Sequence, residues 1–417
     1  MSFDRVGIRP ARILLPAPAV PRETWACIAC DQYTSEPEYW QKAFDRIGDA
    51  PSALRLILPE VYLKESAQRI PAIHAAMASY LKEGLLVPGV DPGFVLCERT
   101  VPSGTRLGLV CAVDLEQYSF EKGSLPLIRP TEQTIASRLP PRLVIRRGAP
   151  VELTHIMILI DDPERTVLEP LRAKKDSLRK LYDFDLMLGG GRLKGWAVDQ
   201  AADLAHVDTA LNRLLGSLGE NPLLLAVGDG NHSLATAKAY WNELREGLSE
   251  AERENHPARF ALCEIVNIHD EALLFEPIHR VVTGTDPDAL LSAWQDYAAA
   301  RGMTLDAAEG HRFTVVSAGG DRTVTVGNPE GAIPCETVQK FLDDFLLRHP
   351  EAEIDFIHGE QSLRTLANAP GAVGFLLPEI DKNSFFSDVK KLGVLPRKTF
   401  SMGEADEKRF YMEAKEI

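Results

Sequence analysis

The sequence predicts an α/β protein, a mixed sheet layered with helices, joined to a second, smaller α+β domain. Three observations carry this. Short apolar runs of strand length alternate with stretches whose apolar residues recur at helical spacing, which argues for helices packed on a sheet. The punctuation changes after Arg280, where Thr283-Gly284-Thr285-Asp286-Pro287 reads as a loop between two textures. The length of 417 residues, 45% apolar and 25% charged, suits a globular chain of two or three domains.

The elements follow in order. Residues 20–63 are rich in Pro, Trp and Tyr, and Phe94–Val101 pairs with Leu107–Leu115 across Pro102-Ser103-Gly104-Thr105 as a hairpin that starts the mixed sheet. Thr154–Ile160 reads as a strand, Asp161-Asp162-Pro163 as a turn, and residues 164–182 as a polar helix. Residues 201–218 have helical spacing, Leu223–Val227 reads as a buried strand, and Ser233–Gly247 as an amphipathic helix. Beyond a boundary at 282/283 come a helix over 288–301, a hairpin over 313–326 turning at Gly319-Gly320-Asp321, and a helix over 338–348. A strand at Val373–Leu377 and a polar tail from Leu395 complete the chain. The expected domains are thus 1–282 and 283–417, the tail returning toward the first.

Charge and cysteine usage narrow the function. With 46 basic against 60 acidic residues the net charge is -14, which repels a phosphate polymer or an anionic bilayer, so nucleic-acid and membrane partners are not expected. The most apolar runs, 156–160, 223–227 and 373–377, fall far short of the ~20 residues a spanning helix needs. Residues 1–10 have no secretory h-region, so a cytoplasmic location is expected. Cys97, Cys111 and Cys263 sit in strand-like runs as core thiols. Cys27 and Cys30 form a C-x-x-C, but no second pair completes a zinc site.

The sharpest local signal is Leu223-Leu-Leu-Ala-Val-Gly-Asp-Gly-Asn-His-Ser233. A buried strand runs through Gly228 and Gly230 straight into a helix, so the first helical N–H groups face whatever lies beyond the strand end, as in an anion cradle. Asp229, Asn231, His232 and Ser233 put a carboxylate, an amide, an imidazole and a hydroxyl beside it. Helix capping accounts for one such residue, not four in a row.

Other segments supply candidate partners. Arg129, Arg138, Arg142, Arg146 and Arg147 place five arginines between residues 129 and 147, matched to a small anionic metabolite or to a solvated basic face. Glu132 within this run is a candidate base or Mg2+ ligand. Glu152, His155, Asp161 and Asp162 offer metal-ligand chemistry around one strand, although Asp-Asp-Pro is also an ordinary turn. His279 beside Arg280 suits an anion, as do Arg397, Lys398, Thr399 and Ser401 if the tail closes over a ligand.

The segment Gly228–Ala237 resembles the D-G-H-H-R-x-x-T-A hallmark of the family catalogued as domain of unknown function 1015. Ala29–Trp40, Ile128–Thr134, Phe275–Arg280 and Leu395–Ser401 are similar to further blocks of that family. The strand-D-G-x-H-x-helix block in turn resembles the phosphate-binding turn of the ParB/sulfiredoxin superfamily, which includes nucleotide hydrolases and a kinase for free serine. This chain departs from the pattern with Asn231 for the first His and Ser233 for the Arg, which removes a bidentate phosphate clamp.

The implied function is a phosphotransferase or phosphohydrolase acting on a small hydroxyl-bearing or phosphorylated metabolite, serine or phosphoserine first. ATP or ADP, or its phosphate, would lie at Gly228, Gly230, Asn231 and Ser233 with Arg129, Arg280 and Lys398, and Mg2+ at Asp229 and Glu132. Asp229, His232, Glu132 and His279 are the expected catalytic groups. The alternative is a non-catalytic, regulatory binder of a small anion or nucleotide, which the two departures favour.

Overall fold

The computed structural model describes residues 3–417 and divides into two compact units, 1–274 with 403–417, and 275–402. The first is α/β. Its twelve-stranded mixed sheet runs Ile128–Pro130, Leu225–Asp229, Met157–Ile160, Phe260–Asn267, Gly104–Asp114, Leu86–Val101, Ala11–Pro16, Ala414–Glu416, Val151–Leu153, and three further strands pair off this path. Helices Pro37–Ile47, Ser66–Lys82, Ala201–Ser217 and Asn231–Arg245 belong to the same unit.

The second unit is α+β. Every pairing within its sheet is antiparallel, and its main helices are Pro287–Ala300 and Pro334–Arg348. Trp294 and Phe341 pack edge to face at 4.1 Å in its core. The boundary expected at 282/283 falls inside the strand Phe275–Thr283, whereas the units divide at 274/275. A Thr-Gly loop reads as a boundary in sequence, but here it only ends a strand paired on both sides.

Both expected hairpins form, pairing Val101 with Gly104 and Ser317 with Gly320. The helix expected over 164–182 does not. Only Glu169–Ala173 is α-helical, and Lys180–Asp185 is a strand paired with Arg192–Val198, because Tyr182 and Phe184 alternate with polar residues at the two-residue period of a sheet. The tail is also different from its polar composition: Phe410–Tyr411 pairs with Cys27–Ile28, and Ala414–Glu416 with Val151–Leu153 and with Leu14. No described helix is long and apolar enough to cross a membrane.

Candidate functional site

The strand Leu225–Asp229 lies between Ile128–Pro130, parallel to it, and Met157–Ile160, antiparallel. Leu225, Ala226 and Val227 are wholly buried, so the apolar run holds the strand in the sheet interior. At Gly228 the pairing with Met157–Ile160 slips by one residue, a bulge that frees the chain to turn. Gly230 then adopts φ 81°, and a Cβ there would stand 3.1 Å from the Ile156 backbone, so glycine is favoured on both counts. Asn231–Arg245 begins as a helix at once. Its first intrahelical bond is Leu234 N to Gly230 O at 3.0 Å, which leaves the N–H groups of 231, 232 and 233 beyond the helical ladder.

Asn231 has a structural task. Its Oδ1 accepts from Thr131 N at 3.1 Å and its Nδ2 donates to Thr131 Oγ1 at 3.3 Å, while Thr131 Oγ1 donates to Val227 O at 2.6 Å. This amide, expected at a phosphate, ties the two parallel strands together where both leave the sheet. Residue 132 follows directly, so Glu132, half-buried, emerges beside Gly228 and Asp229 at the carboxyl ends of adjacent parallel strands. In open α/β sheets ligands bind beyond such ends.

Asp229 Oδ2 is buried without a hydrogen-bond partner, and Lys408 Nζ lies 3.7 Å away, past hydrogen-bond length. A buried carboxylate oxygen left unbonded calls for a further partner. His232 is neutral, its pKa pushed down to about 4 by burial and by Arg142 and Arg138. Its Nε2 accepts from Ile135 N at 3.3 Å, which puts its proton on Nδ1 as a donor.

A second set of groups meets the helix at Ser233. Ser233 Oγ is 3.2 Å from His155 Nε2, and His155 Nδ1 is 2.7 Å from the Tyr411 hydroxyl. Tyr411 accepts from Cys30 N at 3.3 Å and donates to Cys30 Sγ at 3.0 Å. With that proton committed, Tyr411 receives from Nδ1–H, and His155 Nε2 is left as the acceptor for the serine hydroxyl. Asp31 Oδ2 stands 3.7 Å from the same Nε2. Burial works to raise the Asp31 pKa, but His155, Gln32 and Lys408 outweigh it and hold the carboxyl below its ordinary range.

Tertiary pairing builds this set. Tyr411 arrives with the strand that pairs Cys27–Ile28, so Cys30 and Asp31 come with it. Arg99 donates to Asp406 O at 2.9 Å and to Lys408 O at 3.2 Å, and Arg106 to Glu407 O at 3.2 Å, which fixes Lys408 opposite Asp229. Arg409 donates to Thr154 O at 3.0 Å, beside His155, and pairs with Glu264 at 2.6 Å and Glu413 at 2.7 Å.

Several expected contacts go elsewhere. Arg129 donates from Nε and Nη2 to the carbonyls of Pro126, Asn221 and Pro222 and supports the loop ahead of the strand Leu225–Asp229. His279, Arg280 and Lys398 belong to the second unit. There Arg280 is wholly buried on Gln339, Cys335 and the Arg397 carbonyl, a guanidinium used for folding. His279 Nδ1 accepts from Leu377 N at 3.1 Å, with its pKa pushed down to about 4 by burial. Lys398 is exposed with φ 55°.

The four residues read as a metal set scatter. Glu152 pairs with Arg146 and Lys415, Asp161 with His269 at 2.8 Å, and Asp162 caps Thr166 and Val167. Among the described residues no group of three or more His, Cys, Asp or Glu is placed to hold a metal. Asp229 and Glu132 still offer the one or two carboxylates that Mg2+ takes when phosphate oxygens and water complete its shell. Cys27 and Cys30 are free thiols raised in pKa chiefly by burial, the opposite of a reactive pair.

The chain belongs to the family described as protein of unknown function (DUF1015), whose model matches residues 8–345. Among solved structures it is similar to a free serine kinase variant in complex with AMP, at 12% identity and a TM-score of 0.40, over 73% of this chain and 90% of that one. A conserved hypothetical protein from Pyrococcus furiosus matches at 12% identity and 0.37, over 74% and 94%. SbnI with a C-terminal truncation, from Staphylococcus aureus, matches at 9% and 0.38, over 70% and 82%. No curated protein matches the sequence.

Proposed function

We propose that the first unit binds a nucleotide or phosphorylated metabolite with its phosphate at residues 228–233, and moves the phosphoryl group to or from a small hydroxyl-bearing molecule. The observation that carries this is the meeting, at one helix start, of the unbonded Asp229 Oδ2 with buried Lys408 and of Ser233 with His155. The N–H groups of 231–233, Lys408 and the His232 Nδ1–H supply positive potential for a phosphate. Mg2+ would be held by Asp229 and Glu132 and would neutralise phosphate charge when bound.

In this reading His155, and not Glu132, acts as the base. In the forward direction the substrate hydroxyl oxygen attacks the terminal phosphorus of ATP, its proton passes to His155 Nε2, and the bond to the leaving ADP oxygen breaks with its electron pair. The imidazolium so formed faces the Asp31 carboxylate. Water in place of the hydroxyl gives hydrolysis by the same path.

Asn231, spent on Thr131 and Val227, favours a second reading as a binder only. ADP and inorganic phosphate titrations, with ATP turnover measured with and without Mg2+, separate the two. A phosphotransferase consumes ATP, and His155→Gln lowers turnover by about 10²–10⁴ while ADP affinity stays within about threefold. Binding without turnover supports the binder, and no binding of either ligand refutes both.

A further inference from the structure

Beside the Ser233–His155 contact the first unit holds a cavity of about 150 Å³. Leu56, Leu58, Met77, Ile145, Val151 and Leu262 supply apolar walls, and all but Ile145 are buried core residues. The charged groups of its lining are already matched: Arg142 pairs with Glu60, and Arg146 at 2.5 Å and Lys415 at 3.3 Å pair with Glu152. Thr236 donates its hydroxyl to His232 O at 2.7 Å. What is left for a ligand is a hydrogen-bonding end at Ser233 and His155 and an apolar interior.

A pocket of this volume with apolar walls accepts a benzene-sized group. The ammonium and carboxylate of an amino acid would lose water there to wall charges that are already paired with one another, which is a net penalty. We infer that the cavity takes the apolar end of the substrate, which is an amphiphilic alcohol or its phosphate monoester and not free serine. This rests on the reading above for where the phosphate lies, and it assigns the rest of the molecule.

The test is a titration of the full-length protein with methyl, propyl, pentyl and phenyl phosphate, with phosphoserine and inorganic phosphate, and separately with benzyl alcohol. Affinity should rise about fourfold per methylene until the cavity fills, phosphoserine should bind no better than inorganic phosphate, and benzyl alcohol should raise the melting temperature. Ala149→Leu, which fills the cavity from its wall, should flatten the series and leave inorganic phosphate affinity unchanged. A flat series in the unaltered protein, or tightest binding by phosphoserine, overturns the inference. Stabilisation by benzyl alcohol without any phosphate binding sinks the phosphoryl reading alone and leaves the apolar occupant in place.

Discussion

The turn at 228–233 and the tail at 403–417 contribute to one site by opposite means. The turn is local: an apolar strand, a bulged glycine, a left-handed glycine and a helix start deliver Asp229, His232 and Ser233 within six residues. The tail is charged in eight of its fifteen residues and would read as solvent-exposed, yet Glu407, Lys408, Arg409, Glu413 and Lys415 are all buried. Each finds a partner far away in sequence. The difference teaches that the turn presents Asp229, His232 and Ser233 by local chain geometry, while the tail, through ion pairs and strand pairing, sets Tyr411 against His155 and Lys408 against Asp229.

The comparison breaks most visibly on stability. Arg409→Ala leaves Glu264 and Glu413 buried without their cation, and should cost about 3–5 kcal/mol in urea denaturation. Asp229→Asn, in the turn, should cost less, because its Oδ2 accepts no hydrogen bond and its one ion pair, with Lys408, is long at 3.7 Å. Equal losses from the two substitutions would erase the distinction between a presenting turn and a structural tail.

A smaller effect sharpens the turn itself. The folded pKa of His232, about 4, lies below the ordinary value of 6.5, so between these the unfolded chain binds the extra proton. Stability contributed by neutral His232 is therefore complete above about pH 6.5 and is lost as pH falls toward 4. His232→Gln should flatten that part of the pH–stability curve. An unchanged slope would show that another group carries it.

The strand, the helix and their glycines were legible because periodicity and glycine punctuation are properties of contiguous sequence. His155 was visible by residue type, as a metal candidate, and Asp31 lay within the Ala29–Trp40 block, whereas Tyr411 and Lys408 had no local pattern to mark them. Tyr411 reaches His155 through the pairing of Phe410 with Ile28 across nearly the whole chain, which no window of sequence contains. The arginines misled for the converse reason. Arg129 and Arg280 look like anion ligands by type, but buried carbonyls, an amide and a thiol claim their donors. The tail misled by composition, since pairing and not residue type decides whether a charge is buried.

The central claim is that turn and tail together form one anion site, and Lys408 is the residue at which they meet. The direct measurement is calorimetric titration of ADP into the unaltered protein and into Lys408→Met, with melting temperatures recorded for both. The account predicts at least tenfold weaker binding in the variant, about 1.4 kcal/mol, with little change in melting temperature. Equal ADP affinity in the two proteins would contradict it.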